Sequence, residues 1–150
     1  ESRFARRVKE ALRASYDSHA AAQPDSSDFH LEVSHMLELL GVPHTNEVKV
    51  FEGVYHIDIV VGEGDPTDGL GKIAVEVDGP SHFVVGTEEP NAHTALKRWL
   101  LQREGYTVLS IPYFDWGPLQ GGAVRSAYME YRLEEAGWNM KTKRLELGGQ

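Results

Sequence analysis

The chain has no cysteine. That excludes a disulfide framework, a thiolate metal site and a thiol nucleophile, and it agrees with a reducing compartment. Long apolar runs are also missing: nothing approaches the about eighteen consecutive apolar residues of a membrane span, so no membrane segment is expected. Methionine is absent from the first position. The sequence starts at Glu1 and so reads as an excised or processed piece, with any targeting signal outside it. Positive charge is scarce, with 15 Lys and Arg against 23 Asp and Glu, a formal net charge of -8. Taken whole, that balance argues against a phosphate-binding surface. Local potential governs a contact, however, and the cations cluster. Arg3, Arg6, Arg7, Lys9 and Arg13 form one group, Lys97, Arg98 and Arg103 a second, and Lys141, Lys143 and Arg144 a third.

What is present fits one globular domain. The length of 150 residues can bury a real core, and 41% hydrophobic with 25% charged residues is ordinary. Phe4, Val8, Leu12 and Tyr16 recur four apart and predict a basic helix over Arg3 to Ala22. A solvated helix docked by one apolar edge is the commoner meaning of such a pattern, and a nucleic-acid-binding helix the rarer one. The break QPDSS separates this segment (1–23) from a domain at 24–137, and residues 138–150 read as a flexible tail. Asp28 is placed as the N-cap of a second helix with the stripe Phe29, Val33, Met36, Leu37 and Leu40, which Gly41 ends.

Strands follow at Glu47 to Phe51 and Val54 to Val61. A Gly-rich loop at 62–71 leads to a third strand at Ile73 to Asp78. Alternation places Ile57, Ile59 and Val61 on one face with Ile73, Val75 and Val77. It places Asp58, Glu76 and Asp78 on the other. A helix is expected from Thr94 to Glu104, with Leu96, Trp99, Leu100 and Arg103 along one side. A strand is expected at Tyr106 to Ile111, then the aromatic turn Tyr113-Phe114-Asp115-Trp116. The last helix spans Ala123 to Ala136, with Val124, Ala127, Tyr128 and Tyr131 inward. The expected fold class is α/β, a mixed central sheet flanked by helices.

The chemistry concentrates in KIAVEVDGPSHF, a buried-type strand that ends in acids and turns through Gly79-Pro80 to His82. Asp58, Glu76 and Asp78 on neighbouring strands form an oxygen ligand set suited to Mg²⁺ or Mn²⁺. A cation there polarises a phosphoryl oxygen and acidifies a bound water. His82 has two readings that stay open: a general base or phosphate ligand, or a partner of Asp78 that pins the turn. Glu32 is a candidate outer ligand, although helical glutamates are usually just solvated. His35, His44, His56 and His93 show no regular ligand spacing and read as surface or packing residues.

The stretches IAVEVDGPSHF and TALKRWLLQREGYTVLSIPYFDW closely resemble the RAP domain, a module of RNA-binding organellar proteins. The resemblance runs from about Ile73 to about Tyr131. It is carried by Glu76, Asp78, Gly79, Pro80, His82 and Phe83, by Lys97, Arg98, Leu100, Leu101, Gly105 and Tyr106, and by Pro112, Tyr113 and Trp116. It implies a restriction-endonuclease-like core, similar to very-short-patch repair nucleases and PD-(D/E)XK enzymes. Asp58 then stands for the first metal-binding aspartate and Glu76 for the second acid. One departure matters: the position of the water-orienting lysine is Asp78 here, which leaves Lys97 or His82 as substitutes. The resemblance also implies mitochondrial or plastid RNA processing, and a position after helical RNA-binding repeats of a longer protein.

The expectation is therefore an RNA-interacting domain, as a metal-dependent endoribonuclease with Asp58, Glu76, Asp78, His82 and Lys97 as its catalytic set. Arg98 would hold phosphate, and Tyr113 and Trp116 would stack bases of single-stranded RNA. Phe114 belongs to the same aromatic turn, and such a cluster is more often core. The alternative is a non-catalytic RNA-associated, ribosome-associated or protein-interaction module that keeps the acids as a hydrogen-bonded network. The net charge of -8 favours that alternative. A repair-type DNA nuclease is a third, weaker reading.

Overall fold

The computed structural model describes residues 26–146. The basic segment Arg3 to Ala22, with its apolar stripe, lies outside the described residues, as do 147–150. The first element, α1 (Ser26–Leu39), starts two residues before the expected cap, so Asp28 falls in its first turn. A carboxylate there is favoured by the helix dipole. Phe29, Val33, Met36 and Leu37 are buried. Gly41, at φ 67, closes the helix. Val42 N donates to Leu37 O and Gly41 N to Glu38 O, the paired closing bonds that a left-handed glycine permits.

The central sheet has the order β1-β2-β3-β4. Strands β1 (His44–Val50), β2 (Tyr55–Val61) and β3 (Ile73–Asp78) form an antiparallel meander. Helix α2 (Ala92–Arg103) then crosses over to β4 (Thr107–Pro112), which pairs parallel with β3 from Ile73↔Thr107 to Asp78↔Pro112. The short α3 (Tyr113–Trp116) and α4 (Gly122–Glu135) complete the layer that holds α1. Every residue of β3 is buried, because it has a strand on each side and apolar clusters on both faces.

Ile59, Val61, Ile73, Val75, Val77, Leu109 and Ile111 pack with α1, α4 and Trp116 in one cluster. Val48, Val50, Ile57, Val60 and Ala74 pack with Leu101 and Tyr106 in the other. Ile57 therefore departs from the expected alternation and leaves the company of Ile59 and Val61. The cause is local. Glu47 adopts φ 52, and the β1–β2 register omits the pair Glu47 and Asp58. Irregularities of this kind re-aim side chains within a strand.

Two helix phases also differ from expectation. On α2, Thr94 and Leu101 are buried while Leu96 and Trp99 are exposed. On α4, Met129 and Leu133 form the inner stripe, and Val124 and Tyr131 face solvent. The expected flexible tail is structured over 138–146. Here β5 (Trp138–Asn139) pairs with β6 (Arg144–Leu145), and Trp138 is buried in the α1–α4 cluster.

Candidate functional site

The site lies where β2 and β3 part. Their ladder ends at Ile59↔Val75. One residue before Ile59 on β2, the Asp58 side chain takes over, and its Oδ2 accepts from Val77 N at 2.8 Å. A half-buried carboxylate thus replaces a backbone acceptor and sits beside the second half of β3.

Glu76 is only 3% exposed. Its Oε2 accepts from Lys97 Nζ at 3.1 Å, and its Oε1 has no partner. Burial pushes its carboxyl up to about 8, the Asp58 charge adds to the rise, and Lys97 opposes it. Two residues on, Asp78 is 1% exposed and behaves in the opposite sense. Oδ1 accepts from His82 Nδ1 at 2.6 Å, and Oδ2 accepts from Arg98 at 2.8 Å and from the Ser110 hydroxyl. Burial works against its charge, but the bonds from His82 and Ser110, with the Arg98 guanidinium, outweigh it and hold the carboxyl below its usual range. Lys97 and Arg98, adjacent on α2, thus serve two acids that are two apart on β3.

The turn after β3 is tied to the start of α2. Asn91 caps the helix by accepting from Thr94 N at 3.0 Å, and its amide donates to Ser81 O at 2.7 Å. Asn91 N also donates to His82 O. The imidazole, with 39% of its side chain exposed, is held by Asp78 on one edge.

The structure brings Asp58, Glu76 and Lys97 together, and joins Asp78, His82, Arg98 and Ser110 in a second, adjoining network. The expected three-carboxylate ligand set is not what the side chains form. Asp78 has turned both oxygens to other donors, and among the described residues no group of three or more His, Cys, Asp or Glu is arranged to hold a metal. The donors that remain are Asp58 and the orphaned Oε1 of Glu76. Carboxylate oxygens are the donor type that Mg²⁺ and Mn²⁺ take, with water filling the remaining positions. Glu32 makes its bonds elsewhere. It sits on α1, packed on the opposite face of the sheet, and accepts from Trp116 Nε1 at 2.8 Å and from Arg125 at 3.0 Å.

The residues expected to contact RNA are engaged within the protein. Arg98 is bound to Asp78. Trp116 is buried, stacked on Phe29 and covered by Arg125, which leaves no ring face for a base. Tyr113 packs edge-on against Phe83 and Phe114. Two site residues escaped the sequence reading. Ser110 is the lone polar residue inside the apolar run of β4, and that isolation was the available signal. Asn91 lies three residues before Thr94, the spacing of a cap to the amide it satisfies.

Residues 75–131 match the family model of the RAP domain. A curated relative, the "RAP domain-containing protein, chloroplastic" of Oryza sativa subsp. japonica, is 31% identical over 107 residues. The match covers 71% of this chain, and the chain spans 15% of the length of that relative. No solved structure matches.

Proposed function

Given that residues 75–131 are a RAP domain, we propose that the chain acts on RNA in a plastid as part of a longer protein. We further propose a divalent-cation-dependent centre at the end of β3 that cleaves phosphodiester bonds. The chloroplastic relative supports the plastid over the mitochondrion. The meander followed by a parallel crossover, with acids at the middle of the sheet, supports the endonuclease-like reading of the core.

The observation that carries the proposal is Glu76, a deeply buried carboxylate with one oxygen unpartnered beside Asp58 and Lys97. A bare buried acceptor is costly, and a cation or a proton relieves it. Asp58 and Glu76 would hold the cation, which would supply Lewis acidity and an acidified water. Lys97 fixes the orientation of Glu76, and it would offer positive charge to phosphoryl oxygens brought to the same centre. Asp78, His82, Arg98 and Ser110 keep the strand end and its turn in place around that centre.

The test is cleavage of labelled single-stranded RNA with Mn²⁺ or Mg²⁺ by the wild type, Asp58→Ala and Glu76→Ala. Cation-dependent cleavage lost in both folded variants is the expected result. No cleavage by the wild type, or equal cleavage by all three, would overturn the catalytic reading. The non-catalytic module would then be left, which the closed Asp78 network and the net charge of -8 favour. Duplex DNA as a parallel substrate tests the repair-type alternative.

A further inference from the structure

We propose that Trp99, backed by Arg103, is a stacking platform for a base of single-stranded RNA on the outer face of α2. The inference rests on the RNA reading above and names a contact which that reading lacks, since Trp116 is buried and Tyr113 is packed against Phe83 and Phe114.

Trp99 is 51% exposed, although a tryptophan side chain is ordinarily well buried. The Arg103 guanidinium lies 4.8 Å from its ring centroid, so one side of the indole is held by a cation while much of the ring stays open to solvent. A base laid on the open side would complete a stack of guanidinium, indole and base. Contacts of this kind are tolerant of sequence, because every base has a π-face.

Charge selects RNA as the occupant over an apolar protein surface. The helix AHTALKRWLLQR contains Lys97, Arg98 and Arg103 and no acidic residue, in a chain of net charge -8. Lys97 and Arg98 face the β3 acids, which leaves Arg103 as the outward cation beside Trp99. The first carboxylate beyond the helix is Glu104 at its C-cap. Tyr131, the other aromatic among the large exposed hydrophobics of the described residues, makes the contrast: it stands on α4 next to Glu130 and close to Glu134 and Glu135, and its neighbour Arg132 is paired with Asp115 and Glu135, so the excess charge there is negative.

The experiment uses the 150-residue chain, an end-labelled unstructured single-stranded RNA followed by anisotropy, and the protein's own tryptophan fluorescence. Trp116 and Trp138 are buried, so quenching by RNA reports on Trp99. Wild type should bind with quenching. Trp99→Phe should bind comparably with the quenching gone. Trp99→Leu, apolar but without a π-face, should bind about tenfold more weakly. Thermal melts of both variants should match the wild type, because the position is a surface one. Wild-type binding that Trp99→Leu leaves unchanged would overturn the platform and spare the RNA reading, whereas no wild-type binding would remove both. Fluorescence that follows protein concentration and ignores RNA would overturn the platform in favour of contact between protein surfaces.

Discussion

Glu76 and Asp78 are two residues apart on one buried strand, yet they respond to protons in opposite senses. The difference lies in their donors: one lysine for Glu76, against His82, Arg98 and Ser110 for Asp78. For Glu76 the folded state holds its proton up to about pH 8, whereas the ordinary value is 4.5. Between those limits the folded chain binds more protons than the unfolded one, so the contribution of Glu76 to stability falls as pH rises, by up to about 1.4 kcal/mol per pH unit. Asp78 runs the other way. Its depressed value adds stability above the ordinary carboxylate range, and that stability is lost as pH falls through the folded value. Urea denaturation across pH should therefore show Glu76→Gln gaining on the wild type from pH 5 to pH 8. Asp78→Asn should trail it most at neutral pH and least in acid. Parallel pH profiles for Glu76→Gln and the wild type would show that Glu76 is ionised in the fold without a cation.

At the scale of elements, two glycines at opposite ends of β3 have opposite reasons for being there. A Cβ on Gly69 would run into Glu104 O and come within 2.7 Å of the Tyr106 ring. The loop before β3 is thus pressed against the end of α2, where the Tyr106 hydroxyl also donates to Pro66 O at 2.6 Å. Gly79, inside the Asp-Gly-Pro turn, would meet nothing within 4 Å and has an ordinary φ of -75. Gly69→Ala should cost about 1–3 kcal/mol in urea unfolding, the usual range for overpacking against backbone. Gly79→Ala should stay within about 0.5 kcal/mol. A large loss at Gly79 would mean the turn is tighter than its geometry indicates.

The same scale explains what could be read in advance. Strand β3 is legible to the residue, because β-branched residues at alternate positions, closed by Asp-Gly-Pro, favour a short strand. The inner stripe of α2 was not legible. Leu96, Trp99 and Leu100 form as good an apolar edge as Thr94 and Leu101, and only the sheet decides which edge faces inward. Val124 and Tyr131 mislead on α4 for the same reason. In the site, strand parity brings Glu76 and Asp78 to one face, whereas Asp58 joins them at the point where the alternation of β2 breaks. The division of labour between the two β3 acids was hidden, because it depends on Ser110 and Arg98, which arrive from 32 and 20 residues away.

Across the whole molecule the two apolar clusters share β3 but close differently. The α2 side is closed by Leu101 and Tyr106. The α1–α4 side is completed by a residue near the end of the described chain, Trp138, whose polar surroundings in sequence read as a tail. Gly137, at φ 98, turns the chain so that Glu146 N reaches Gly137 O, and Lys143 Nζ donates to Leu40 O at 3.0 Å. These polar bonds lie near the surface, so the hairpin depends mainly on the buried indole. Its Nε1 is buried without a partner, and this subtracts from what the ring contributes. Trp138→Ala should therefore cost about 3–5 kcal/mol, as for other large aromatic truncations in a core. Trp138→Phe should cost clearly less, since it keeps most of the packing and removes the orphaned donor. Equal losses would mean that the indole N–H is satisfied in solution, and negligible losses in both would mean that the hairpin does not close the core. A loss confined to Trp138→Ala would make residues 138–146 part of the folding unit and extend the domain beyond the expected boundary at 137.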